Sequence, residues 1–107
     1  LLPHVMAANV AALQALDSDH PTLARYADIG EALIGRRLST ATATIEAGIQ
    51  FVGELVRDLR IPHLSEFGMT EADIPDVVAR AQKASSMRSN PISLTDQALA
   101  GVLRAAL

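Results

Sequence analysis

The stretch ATATIEAGIQFVGELVRDL, Ala41 to Leu59, decides the fold class. Within it Ile45, Ile49, Val52, Val56 and Leu59 recur at steps of four, three, four and three, which lines apolar side chains along one stripe of an α-helix. Ser39 or Thr40 supplies a hydroxyl for the N-cap. Ile61-Pro62 ends the run, because proline pushes the residue before it out of the α region. So long a stripe needs partner helices, and both Val52 and Leu59 are expected to be buried beneath them.

Those partners can be read outward from this helix. Upstream, Asp17-Ser18-Asp19-His20-Pro21 combines capping side chains with a proline near the first helical position, and Leu23, Tyr26, Ile29 and Leu33 then mark one side of a second helix that stops at Gly35. Before it, Pro3 to Leu16 carries Val5, Met6, Val10 and Leu13 at helical spacing. Downstream, a single turn around Leu64 to Phe67 ends at Gly68. Thr70 with Asp73 three residues on resembles a capping box, and Ile74, Val77, Val78, Ala81 and Ala84 follow, with Pro75 in the first turn. Ser85 to Pro91 is polar and breaks the period, which places a loop there before Thr95-Asp96 opens a last helix bearing Leu99, Val102, Leu103 and Ala106. The expected architecture is all-α, a bundle of about five helices forming one domain over residues 1–107.

Composition agrees with this class. Nineteen Ala and 14 Leu against three aromatics, Tyr26, Phe51 and Phe67, favour packed helices over sheets. A net charge of -3, with no basic run beyond Arg36-Arg37, argues against nucleic acid as a partner. No apolar stretch approaches the roughly 20 residues of a membrane span and no signal peptide pattern is present, so a cytoplasmic protein is expected. Without cysteine there are no disulfides, thiolate metal sites or thiol nucleophiles. The chain opens on Leu1-Leu2-Pro3-His4-Val5-Met6, already apolar and without an initiator Met, which reads as a piece of a longer protein.

Few residues suggest chemistry. His4, His20 and His63 share no HxxxH or HExxH spacing, so no two lie on one helical face as a local metal site requires; they read as helix, capping or surface residues. Ser85-Ser86 has no neighbouring base and no GxSxG elbow. The glycines at 30, 35, 48, 53, 68 and 101 form neither GxGxxG nor GxxxxGK, so there is no phosphate cradle. Asp17, Asp19 and Asp28 lack the ligand alternation of a calcium loop and read as a solvated helix entrance. Glu54, Arg57 and Asp58 look like an exposed charged face, as do Asp76 and Arg80. Met87, in the irregular segment, is either a gap-filler or a wall for a small apolar ligand.

The order of landmarks is more specific than any one of them. Leu1-Leu2-Pro3-His4-Val5-Met6 with Asn9, Arg25-Tyr26-Ala27-Asp28-Ile29-Gly30, Ile61 to Met69, Glu71-Ala72-Asp73-Ile74-Pro75, and Ser89-Asn90-Pro91 before Leu94-Thr95-Asp96 resemble the C-terminal helical half of iron-containing alcohol dehydrogenases. Order and spacing match over essentially the whole chain. The resemblance implies the C-terminal helical domain of a dehydroquinate synthase-like fold, joined in the parent to an N-terminal α/β nucleotide-binding domain, with the catalytic metal in the cleft between them. Two departures stand out: Arg60 occupies a position where Gly commonly precedes the Ile-Pro, and Ile92 follows Asn90-Pro91 where Arg is frequent.

The implied activity of the parent is reversible hydride transfer between NAD(P) and an alcohol or aldehyde, with a divalent metal, iron or zinc, acting as Lewis acid. By the same resemblance the glycine-rich pyrophosphate motif and the Asp and His metal ligands belong to segments before Leu1. Pro3-His4 is followed by Val5 rather than Gly, so His4 is not one of those ligands. No catalytic, cofactor-binding or metal residue is therefore expected within these 107 residues, and the chain alone is expected to be inactive. Its implied partners are its own N-terminal nucleotide-binding domain and a small alcohol or aldehyde, and self-association through an apolar face is open. The resemblance makes Ser86 and Met87 the edge of the substrate pocket, the alternative being a helix connection that only packs. Two other readings compete: an autonomous helical module that binds a partner helix, and part of a metal-free maleylacetate reductase-like enzyme.

Overall fold

The computed structural model describes all of residues 1–107 and contains five α-helices: α1 (Leu2–Leu16), α2 (Pro21–Ile34), α3 (Ala41–Asp58), α4 (Ile74–Lys83) and α5 (Asp96–Ala106). Short 3₁₀ turns cover Leu64–Phe67, Glu71–Asp73 and Ser85–Ser89, and there are no strands. None of the helices is long and apolar enough to cross a membrane.

Most helix starts follow the side chains that can cap them. Thr40 accepts from the Ala43 N–H at 3.0 Å to open α3, and Thr95 accepts from Ala98 N–H at 3.1 Å to open α5. At α2 the cap is His20 itself, whose Nδ1 accepts from the Thr22 N–H at 3.2 Å, rather than one of the nearby aspartates. The Thr70 N–H and hydroxyl both donate to Asp73 Oδ2, which holds that carboxyl below the usual carboxylate range and sets the turn leading into α4. In contrast, α1 starts at Leu1 with no side-chain cap.

The tightest seam joins α2 to α3. A Cβ on Gly30 would lie 2.3 Å from the Thr44 carbonyl oxygen, and one on Gly48 would lie 2.6 Å from the Gly30 Cα, so only glycine permits the crossing. Thr44, fully buried at the same spot, returns its hydroxyl to the Thr40 carbonyl and accepts from the Leu38 N–H. This contact rotates α2 relative to the sequence expectation. Its inward face is Leu23, Tyr26, Ala27 and Gly30, while Ile29 stays exposed and Leu33 is half-buried, because small residues at 27 and 30 allow the backbones to approach.

Two apolar clusters result. Val10, Leu13, Leu23, Tyr26, Ala27 and Ile45 pack α1, α2 and α3 together, and Ile74, Val78, Leu94 and Leu99 join α4 to α5. Ile92 touches both, so the isoleucine that stands in place of an arginine is the seam between them. The predicted loop at Ser85 to Pro91 is largely a 3₁₀ helix, Ser85–Ser89, turned toward the second cluster by Met87. A further correction concerns α3. Val52 is buried at 7 % exposure as its period implies, but Leu59, just past the end of the helix, is 63 % exposed.

Candidate functional site

The segment expected to border a substrate pocket is anchored at both ends. Met87 fills the gap beside the α4/α5 cluster, and Asn90 forms a reciprocal amide pair with Asn9 of α1, donating at 2.7 Å and accepting at 3.0 Å. Asn90 also donates to the Ile92 carbonyl, and Asn9 donates to the Tyr26 hydroxyl at 3.1 Å. Asn9 is only 3 % exposed, and no buried side-chain polar atom in the molecule lacks a partner. Between these anchors Ser86 is exposed on the outer side of the 3₁₀ turn. The backbone that carries it is therefore held by packing on one side and by a buried hydrogen-bonded network on the other.

That network was not identified from the sequence, although a signal for it was present. Asn9 lies among Met6, Val10 and Leu13 on the inward side of α1, where a polar residue must find a buried partner. Tyr26 holds the corresponding position on α2. Spacing along the chain does not reveal that Asn90, 81 residues away, supplies the third member.

Beside the network runs an apolar groove of about 580 Å³, walled by Met6, Tyr26, Ile29, Leu33, Val52 and Pro91, with Thr22, Arg25 and Ser89 at its polar margin. Ser86 and Met87 are not among the residues that wall it. Met87 instead edges a smaller, more polar recess with Gln82, Lys83, Arg88 and Ser93.

The structure unites two histidines that the spacing kept apart. His4, from the first turn of α1, and His63, beyond Ile61-Pro62, line one open cavity of about 710 Å³ with Gln50, Arg57, Arg60 and Glu66. Burial, and then the charge of the Leu1 amine and of His63, push the His4 imidazole below its ordinary value. The Glu66 carboxylate is committed to the His63 N–H at 2.9 Å. Two guanidinium groups against one carboxylate disfavour a cation, and nowhere do three His, Asp or Glu side chains gather in metal-binding proximity. Arg60 sits at φ 51, the left-handed region that favours glycine, which gives a physical reason for a glycine at this position.

The remaining candidates have local roles. Asp17 Oδ1 accepts from the Asp19 N–H, and Asp28 pairs with Arg37, which also reaches Glu31, so the three aspartates are not brought together on one ligand. Both carboxylates raise the Arg37 guanidinium above its ordinary value. Asp76 and Arg80 form the expected i,i+4 pair at 2.8 Å.

Comparison with known proteins follows the same path as the landmarks. The family model described as Fe-containing alcohol dehydrogenase family, C-terminal, matches residues 1–107. The chain is 34 % identical over 110 residues to a 1,3-propanediol dehydrogenase of Klebsiella pneumoniae, an alignment covering 99 % of this chain and 26 % of that protein. It thus spans about a quarter of the length of the relative it matches. No solved structure gives a significant match.

Proposed function

The chain belongs to the Fe-containing alcohol dehydrogenase family, as its C-terminal part, and on that premise we propose that it is one helical domain, residues 1–107, forming a wall of an NAD(P)-dependent alcohol dehydrogenase. The observation that carries this reading is the family match across every residue of the chain. The proposed parent enzyme interconverts alcohols with aldehydes or ketones in the cytoplasm. The donor set here does not suit a divalent metal, since the two-histidine cavity is lined by Arg57 and Arg60. The metal ligands are therefore assigned to segments before Leu1 and the nicotinamide to an N-terminal nucleotide-binding domain, with the metal in the cleft between that domain and this one, and the 107-residue chain is inactive by itself.

Within that enzyme the Ser86–Met87 turn borders the alcohol. Its support is the anchoring described above: Met87 and Asn90 hold the turn at both ends while Ser86 faces outward. Short alcohols and diols are the first substrates to test, given the name of the Klebsiella relative. In the full-length protein, Ser86→Leu should change kcat/KM selectively along a series of primary alcohols, by about 10- to 200-fold for the length that no longer fits, with cofactor affinity unchanged. Arg80→Ala, on the outer face of α4, serves as the control. Equal losses for every alcohol, or an unchanged profile, would remove the turn from the substrate site.

A further inference from the structure

The two amide side chains that join the Ser85–Ser89 turn to α1 are saturated in one orientation only. Both N–H groups of Asn9 are used, one on the Tyr26 hydroxyl and one on Asn90 Oδ1 at 3.0 Å. Both N–H groups of Asn90 are used as well, on Asn9 Oδ1 at 2.7 Å and on the Ile92 carbonyl. Each amide oxygen accepts from the opposite residue. Turning either amide over would set N–H against N–H and oxygen against oxygen, beside an Asn9 that is buried from water, so the two planes fix each other.

The backbone carries this constraint straight into the turn. The Asn90 N–H donates to the Met87 carbonyl at 3.2 Å, and the Met87 N–H donates to the Ala84 carbonyl at 3.1 Å. The other attachment of the turn is the Met87 side chain, a flexible thioether lying against an apolar cluster, which holds the segment down without setting its direction. Direction comes from the amide pair, because a hydrogen bond weakens steeply away from its preferred distance and angle. Adhesion alone does not call for buried amides, since apolar side chains of the same shape at both positions would hold nearly as well.

We propose that Asn9 and Asn90 are positioning residues that set which alcohols the Ser86–Met87 turn admits, an inference that rests on the reading in which that turn borders the alcohol. Neither amide touches the substrate in this assignment. Tyr26 is the fixed end of the device: its ring is buried with Val10, Leu13 and Ile45, so the hydroxyl that receives the Asn9 N–H is referred to the cluster of α1, α2 and α3. The turn is thereby registered against those three helices as well as against α4 and α5, where Met87 packs. A displaced Asn90 carries Met87 and Ser86 with it through the backbone, and a shifted pocket edge separates alcohols that differ by a methylene.

The test uses the full-length protein carrying Asn9→Ala and Asn90→Ala, singly and together. Three quantities are read: kcat/KM along a series of primary alcohols, the cofactor dissociation constant, and hydrogen exchange of the Met87 and Asn90 amides by mass spectrometry. Each single substitution should change the kcat/KM ratio between short and longer alcohols by about tenfold or more, with cofactor affinity unchanged. Exchange in the turn should be about tenfold faster or more in the same variants. The double variant should go no further than either single one, because the pair acts as a unit. Asn9→Leu/Tyr26→Phe/Asn90→Leu separates direction from adhesion. It should melt close to the wild-type protein and still show the altered ratio; a wild-type ratio in this variant, or its failure to fold, overturns the proposal. Equal losses for every alcohol in folded variants overturn it as well. Ser86→Leu keeps the two ways of failing apart. A changed profile in Ser86→Leu beside wild-type ratios in the asparagine variants refutes only the positioning role. Faster exchange in the turn with wild-type ratios in every variant, Ser86→Leu included, refutes the functional reading and removes the proposal with it.

Discussion

The two halves of α3 obey the same sequence rule and meet different fates. In the first half, Thr44, Ile45 and Gly48 lie under α2, with Gly30 so close that a methyl group cannot be inserted. Toward the C-terminal end Val52 is still buried and Val56 half-buried, but Leu55 and, just past the helix, Leu59 stand in solvent. Periodicity reports that a helix has an apolar side, but burial depends on whether another element crosses that side. The closest approach of α2 falls on the first half, where Gly30 meets Thr44 and Gly48.

This contrast is open to direct test by mutation, with unfolding followed by circular dichroism in denaturant. Ile45→Ala, in the buried half, should destabilise the chain by about 2–5 kcal/mol. A loss well under that range would mean that the first half of α3 is less tightly enclosed than its 3 % exposure indicates. Gly30→Ala forces a Cβ against the Thr44 carbonyl and should cost about 1–3 kcal/mol; wild-type stability in this variant would show that the helices can separate without penalty. At the other end, Arg60→Gly relieves a left-handed backbone held by a non-glycine residue. Offset by the greater chain entropy of glycine, it should stabilise by about 0.5–1 kcal/mol, seen as a higher midpoint at constant denaturant slope. Leu59→Ala should shift stability by no more than about 0.5 kcal/mol in the 107-residue chain, because little of that side chain is withdrawn from water. If Leu59→Ala were as damaging as Ile45→Ala, the difference between the halves would collapse.

The candidate site is legible to a different degree from the fold. The resemblance singles out Ser86 and Met87, and the structure shows how their turn is held. The hydrogen-bonded trio that holds it, Asn9, Tyr26 and Asn90, comes from three separate elements, and each member alone looks unremarkable in the sequence. The cavity shared by His4 and His63 was hidden for the same reason, since local spacing says nothing of a meeting between the start of α1 and the turn after α3.

What the sequence determined by itself is the set of helices and most of their ends. The threonine at 40, the prolines at 21, 62 and 75 and the glycines at 35 and 68 act through bonds and torsions within a few residues, so their effects are local and readable. Only the tertiary structure decided which side of α2 faces inward, that Ile92 joins two apolar clusters, and that Leu55 and Leu59 stay exposed where Ile45 and Val52 are buried. Those outcomes depend on close contacts between residues distant in the chain, where the absence of a side chain at Gly30 outweighs the hydrophobicity of Ile29 beside it.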